Sequence, residues 1–204
     1  MKYNLLISAF VSIVTLTSSR LFCQSQIKST NLYNNLNKCC GPNEDEAWVN
    51  YIAPNNDKYE IKCSSTLPNQ GIVSYDAKNL DDAKITTAWA EGDSEYGIGT
   101  TIEFVIKESF GTILKGDVNT ISGQIVNGYY KTDKNYLENS RVKSFNYYLN
   151  GKLISIVELN DFRGIQQFEI KTPLKKGDVL KFEIKDVYKG TKFKDVLITE
   201  FRFD

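Results

Sequence analysis

One stretch of the chain reads Glu91-Gly92-Asp93-Ser94-Glu95-Tyr96-Gly97-Ile98-Gly99, with carboxylates and a phenol threaded through glycines. Hydroxyl-rich ligands are held by such groups. An aromatic face takes the ring, and carboxylates accept hydrogen bonds from hydroxyls. Glu91, Asp93 and Tyr96 are therefore candidates for sugar contact. A solvated hairpin loop is the other reading of the same residues. The glycines form no phosphate cradle, because no helix signal follows them. A glycosidase would need two carboxylates about 5–9.5 Å apart across a cleft. Clustering of Glu91, Asp93 and Glu95 in sequence does not supply that geometry.

Histidine is absent from all 204 residues. That removes Ser-His-Asp and Cys-His catalysis and every His-ligated metal site. Lysine plus arginine number 25 and aspartate plus glutamate 25, so no basic excess exists to neutralise phosphates. Nucleic acid is not an expected partner. The surplus is aromatic, with 12 Tyr, 11 Phe and 2 Trp, which suits strands and wet binding faces.

The elements that must position these residues alternate with period two. Thr101–Ile106, Ser122–Val126, Ser144–Leu149, Leu153–Leu159, Gln166–Ile170, Val179–Ile184 and Val196–Phe203 all read as strands. Asn150-Gly151 between two of them is a hairpin signal, since both turn residues need positive φ. Lys176-Gly177-Asp178 is a further turn. Ala77–Asp82 is the one helix candidate, a turn or two long. Residues 26–58, rich in Asn, Lys, Asp and Ser, form an arm, with one short element around Trp48. Many short strands and almost no helix predict an all-β sandwich of the jelly-roll kind.

Residues 1–25 read as a signal peptide. Lys2 precedes an apolar run, Leu5–Leu16, that is too short to span a bilayer. Cleavage is expected after Cys23 or Ser25, and export makes disulfides available. Cys63 is expected to pair with Cys39 or Cys40, a loop closure worth about 3 kcal/mol in the chain-entropy model.

Several blocks occur in a recognisable order. They include Tyr75-x-x-x-Asn79-Leu80-Asp81-Asp82-x-x-x-Thr86-Thr87-Ala88-Trp89-x-Glu91-Gly92, then Tyr96-Gly97-Ile98-Gly99 and Asn127-Gly128-Tyr129. Glu138-Asn139-Ser140-Arg141-Val142-Lys143 and Asp186-Val187-Tyr188-x-Gly190-Thr191-Lys192-x-Lys194-Asp195 follow, and Ile198-Thr199-Glu200 lies near the end. Together they resemble the discoidin-like, or coagulation factor 5/8 type C-like, domain. The nearest subgroup is the translocation and glycan-binding domain beside streptococcal NAD glycohydrolase toxins. The resemblance spans residues 59–204. It implies a galactose-binding-like jelly-roll β-sandwich that recognises surface glycans through loops at one end. It does not extend to the toxin's catalytic part, so NAD hydrolysis is not expected.

The resemblance also assigns residues. Related loops wrap a structural Ca²⁺, and the matching positions here are Asp82, Thr87 and Glu200. The family's Asp-Gly-Asp pattern is broken by Ala83 and Lys84. A lysine ammonium can stand where a cation would, so bound Ca²⁺ and a purely hydrogen-bonded loop are both open. Trp89 is read as core. Asn127, Tyr129 and Arg141 occupy pattern positions that reach ligand or hold the loop, as do Lys192 and Asp195. The expected function is a secreted, non-catalytic carbohydrate-binding module whose partner is a glycan. An envelope protein-interaction or assembly domain on the same sandwich is the alternative.

Overall fold

The computed structural model describes residues 25–33, 57–109 and 120–203. Apart from Ser25 the expected signal peptide lies outside them, as do Cys39, Cys40 and the element expected around Trp48. The strands are β1 Ser25–Lys28, β2 Thr30–Tyr33, β3 Tyr59–Cys63, β4 Trp89–Ala90, β5 Thr101–Ile106 and β6 Ile121–Asn127. They continue as β7 Arg141–Leu149, β8 Lys152–Glu158, β9 Ile165–Ile170, β10 Val179–Tyr188 and β11 Leu197–Phe203. One sheet runs β1-β8-β7-β10-β5-β3 and the other β2-β9-β6-β11-β4. The all-β jelly-roll sandwich expected from the sequence is the fold observed.

Local chemistry explains the strands. In β5 the even-numbered residues Ile102, Phe104 and Ile106 are buried and their neighbours are not, as a half-buried strand requires. The β7–β8 hairpin turns at Asn150 and Gly151, with φ of 50° and 78°. Only residues tolerant of the left-handed region close so tight a turn. Asn150 also locks the turn to β10, accepting from the Val179 N–H and donating to Asp178.

Between the sheets lies an aromatic core. Phe104, Phe145, Phe168, Phe182, Phe201 and Phe203 meet mostly edge to face, with Phe104 and Phe203 centroids 4.8 Å apart. Such pairs contribute about 0.5–1.5 kcal/mol each beyond the area they bury. Trp89 is fully buried in this core, as its sequence position suggested. Every residue of β11 is buried, because β11 is covered on both faces. The sandwich fills one side, and a 3₁₀ turn at Ala77–Asp81 with the loop after it covers the other.

Two features depart from the sequence reading. The start of the arm forms two strands that alternation did not show. β1 adds in parallel to the β8 edge and β2 adds antiparallel to β9, so residues 25–33 strap one sheet to the other. The polar stretch after Tyr130 also contains a short helix, α1, at Asp133–Glu138. Its N-cap is Thr132, whose hydroxyl accepts from the Asn135 N–H.

Candidate functional site

Strand directions place all of the expected ligand residues at one end of the sandwich. β5 and β11 begin there, and β6 and β10 finish there. The connections at 91–100, 128–140, 159–164 and 188–196 therefore crowd together. Hydrogen bonds tie each to the next. Val196 donates its N–H to the Glu91 carboxylate (3.2 Å), and Thr191 and Ser140 link the 188–195 connection to α1 and β7.

Half of the eight expected contact residues are buried inside this scaffold. Glu91 is fully buried and accepts from the N–H groups of Asp93 and Val196. Burial pushes its carboxyl up from the ordinary range, and those two N–H groups pull it partly back. Asn127 bridges to β7, accepting from the Val142 N–H at 3.0 Å and donating to the Val142 carbonyl at 2.7 Å. Tyr129 lies in a buried cluster with Ala88, Ala90 and Leu197 and donates to the Thr86 carbonyl.

Arg141 is the hub. Its guanidinium grips Asp161 bidentately (2.8 and 2.9 Å) and donates to the carbonyls of Tyr136 and Asn139 (2.9 Å each). It also lies over the Tyr136 ring at 4.6 Å. One side chain thus joins α1, the start of β7 and the 159–164 connection. Burial alone would raise the Asp161 carboxyl, but the Arg141 fork and the Tyr136 hydroxyl hold it below its usual range.

The other four face solvent wholly or in part. Asp93 is exposed and takes the Thr100 hydroxyl. Tyr96 is half-exposed, with φ of 56°, a conformation unusual for a residue with a side chain. The glycine after it is required. A Cβ on Gly97, which also has positive φ, would collide with the Glu91 side chain. Lys192 is exposed and Asp195 half-buried. Sequence reasoning did not single out Phe193, Lys189 and Lys194 as contact residues. Yet Phe193 is 40% exposed, and the Nζ atoms of Lys189 and Lys194 lie 4.9 and 5.6 Å from the Tyr96 ring centre. The alternation of Lys with aromatic residues in Tyr188–Lys194 was the available signal.

Thr87 donates to both oxygens of Asp82 (3.0 and 2.9 Å), and the Lys84 N–H donates to Asp82 and to Glu200 (3.0 Å each). Ala83 has a positive φ of 57°, a conformation glycine adopts more readily. Glu200 Oε1 is engaged, while Oε2 is buried without a partner among the described residues. Burial, followed by the charges of Asp82 and Asp81, pushes the Glu200 carboxyl far above its ordinary range. Ca²⁺ takes about 6–8 oxygen ligands from carboxylates, carbonyls and water. As placed, Asp82 and Glu200 are engaged by the Thr87 hydroxyl and the Lys84 N–H, so the residues form a hydrogen-bonded loop. Among the described residues no three Cys, Asp or Glu side chains are grouped to hold a metal.

A cleft of about 810 Å³ opens elsewhere, on the flank between β8 and β9 beneath the strap. It shares no residue with the loop end.

Cys63 sits half-buried on β3, its thiol pushed up to about 12 by burial and then by Asp76. It makes no disulfide among the described residues, and its expected partners lie outside them. No described helix is long and apolar enough to cross a membrane.

The family model described as the NAD glycohydrolase translocation F5/8 type C domain matches residues 53–204. Two solved structures of the CBM32-1 and CBM32-2 domains of Clostridium perfringens ZmpB are similar in fold. One superposes with TM-score 0.54 at 14% identity, covering 88% of this chain and 41% of that one. The other, in complex with GalNAc, gives 0.53 at 12% identity, covering 88% and 39%. The chain thus spans about two fifths of the length of those structures. At such identities the likeness is one of fold alone. No curated protein matches the chain.

Proposed function

The chain belongs to the family of NAD glycohydrolase translocation F5/8 type C domains, and on that premise we propose that it is an exported, non-catalytic module that binds carbohydrate. The site is the loop end of the sandwich. The observation that carries this reading is a division of labour there. Glu91, Asn127, Tyr129 and Arg141 are consumed in fixing the loops, which leaves Tyr96, Phe193, Asp93 and Lys192 presented on a rigid frame. Rings and polar groups held so pay little ordering entropy when a saccharide docks. The fold it shares with the GalNAc-complexed ZmpB domains adds support, and so does the apolar leader at residues 5–16.

The test is calorimetry of the purified protein against a panel of galactose- and N-acetylhexosamine-terminated glycans. At least one is expected to bind, and Tyr96→Ala is expected to weaken it at least about tenfold, or about 1.4 kcal/mol. The unliganded melting temperature of that variant should not move. A panel that yields no binding would sink the carbohydrate reading and leave the protein-partner role.

A further inference from the structure

Resting on that reading, we infer that the saccharide is acidic, and that Lys189 and Lys192 receive its carboxylate or sulfate group beside the Tyr96 and Phe193 rings.

The connection that carries these lysines is fixed from below. Thr191 donates its N–H to the Leu137 carbonyl, and the Lys192 and Phe193 N–H groups both donate to the Glu138 carbonyl (3.1 and 2.8 Å). The Gly190 N–H donates to the Ser140 hydroxyl, which in turn donates to the Phe193 carbonyl. Gly190 sits so close to the end of α1 that a Cβ would collide with the backbone of Glu138 and Asn139. The backbone of residues 190–193 is therefore immobilised, while the side chains of Lys189, Lys192, Phe193 and Lys194 all point to solvent.

The charges are not self-compensated. Lys194 is paired with Glu95 at 2.8 Å, a contact that joins the two loops. Lys189 and Lys192 have no carboxylate partner among the described residues. Each stands over a ring instead, Lys189 at 4.9 Å from the Tyr96 centre and Lys192 at 4.7 Å from that of Phe193. Two further acids lie in these connections. Asp93 holds the Thr100 hydroxyl, and Asp195 is half-buried on the side of Tyr75 and Glu91. Two ammonium groups on a fixed loop, each beside an aromatic face, suit a ring that carries an anion. A neutral sugar would bring neither cation a counter-charge.

The experiment pairs each glycan with its neutral counterpart: sialylated against desialylated, sulfated against desulfated, uronate against its methyl ester. The acidic member is expected to bind at least about tenfold tighter in low salt, and the difference should shrink as ionic strength rises toward about 0.5 M, where screening is strong. Lys189→Glu with Lys192→Glu should erase the preference and leave the melting temperature unchanged. Equal binding of both members, or a preference that survives the double variant, would overturn the inference and leave the carbohydrate reading intact. Binding of neither member would overturn both.

Discussion

Arg141 and Glu200 are both buried charged-type residues, and their surroundings set opposite fates. Arg141 is met by acceptors on all sides, so its charge is retained and stabilises the loops. Arg141→Ala strips donors from Asp161 and from two carbonyls. The expected loss is about 2–3 kcal/mol in urea unfolding with an unchanged m-value. Arg141→Lys should recover little of it, because an ammonium cannot reproduce the fork. Glu200 faces Asp81 and Asp82, and its folded-state carboxyl lies well above its unfolded value. The stability it contributes is present below the unfolded value, near pH 4.5, and is lost as pH rises toward the folded one. That loss has a limiting slope of about 1.4 kcal/mol per pH unit. Glu200→Gln keeps the acceptor for the Lys84 N–H and removes the titration. The variant should gain stability over wild type between pH 5 and pH 8, read as the difference in urea midpoints. A gain of equal size at both pH values would remove Glu200 as the titrating group. If Ca²⁺ instead were bound there, adding it would raise the wild-type melting temperature and spare the variant. The expected shift on adding Ca²⁺ is nil for both. The family resemblance implied that Asp82, Thr87 and Glu200 lie together. That Lys84 acts through its backbone N–H, not its ammonium, was not legible, because it depends on the positive φ of Ala83.

At the scale of the element, legibility follows periodicity. Strands with one buried face announced themselves by alternation, and β5 occupies Thr101–Ile106 as expected. β10 runs on to Tyr188, past the expected end at Ile184, because the register shifts about Asp186 break the alternation. The helix α1 was hidden for a different reason. Its six residues have one buried side chain, Tyr136, so no helical period can show. What seats α1 against the ligand loop is tertiary, the hydrogen bonds from residues 191–193 and the close approach of Gly190. Gly190→Ala tests that seat. The added methyl has nowhere to go but into backbone, so the 188–195 connection must lift from α1. Glycan affinity should fall at least about tenfold for a stability cost of about 1–3 kcal/mol. A variant that binds like wild type would show that the lysines need no fixed loop.

In the whole molecule, the sandwich is closed on its β8–β9 flank by the strap, and that closure was illegible in residues 25–33. Among the described side chains of this segment Ile27 packs against the core, so its short strands carry little hydrophobic pattern, and their pairing is chosen by the two sheet edges they meet. Among the described residues, every fully buried member of the main core lies between Tyr59 and Phe203. The core should therefore form without the strap, whose contribution is one half-buried isoleucine and two short ladders of hydrogen bonds. That is worth about 1–3 kcal/mol by area and hydrogen-bond reckoning. A chain of residues 57–204, compared with residues 25–204 in reducing buffer so that a bridge to Cys63 contributes to neither, is expected to unfold in one cooperative step at a lower urea midpoint. Its loop end, fixed by Arg141 and Asn127 rather than by the strap, should bind glycan as before. Loss of near-ultraviolet ellipticity in the shorter chain would mean that the strap is part of the folding unit, and that the domain begins at Ser25 rather than at Tyr59.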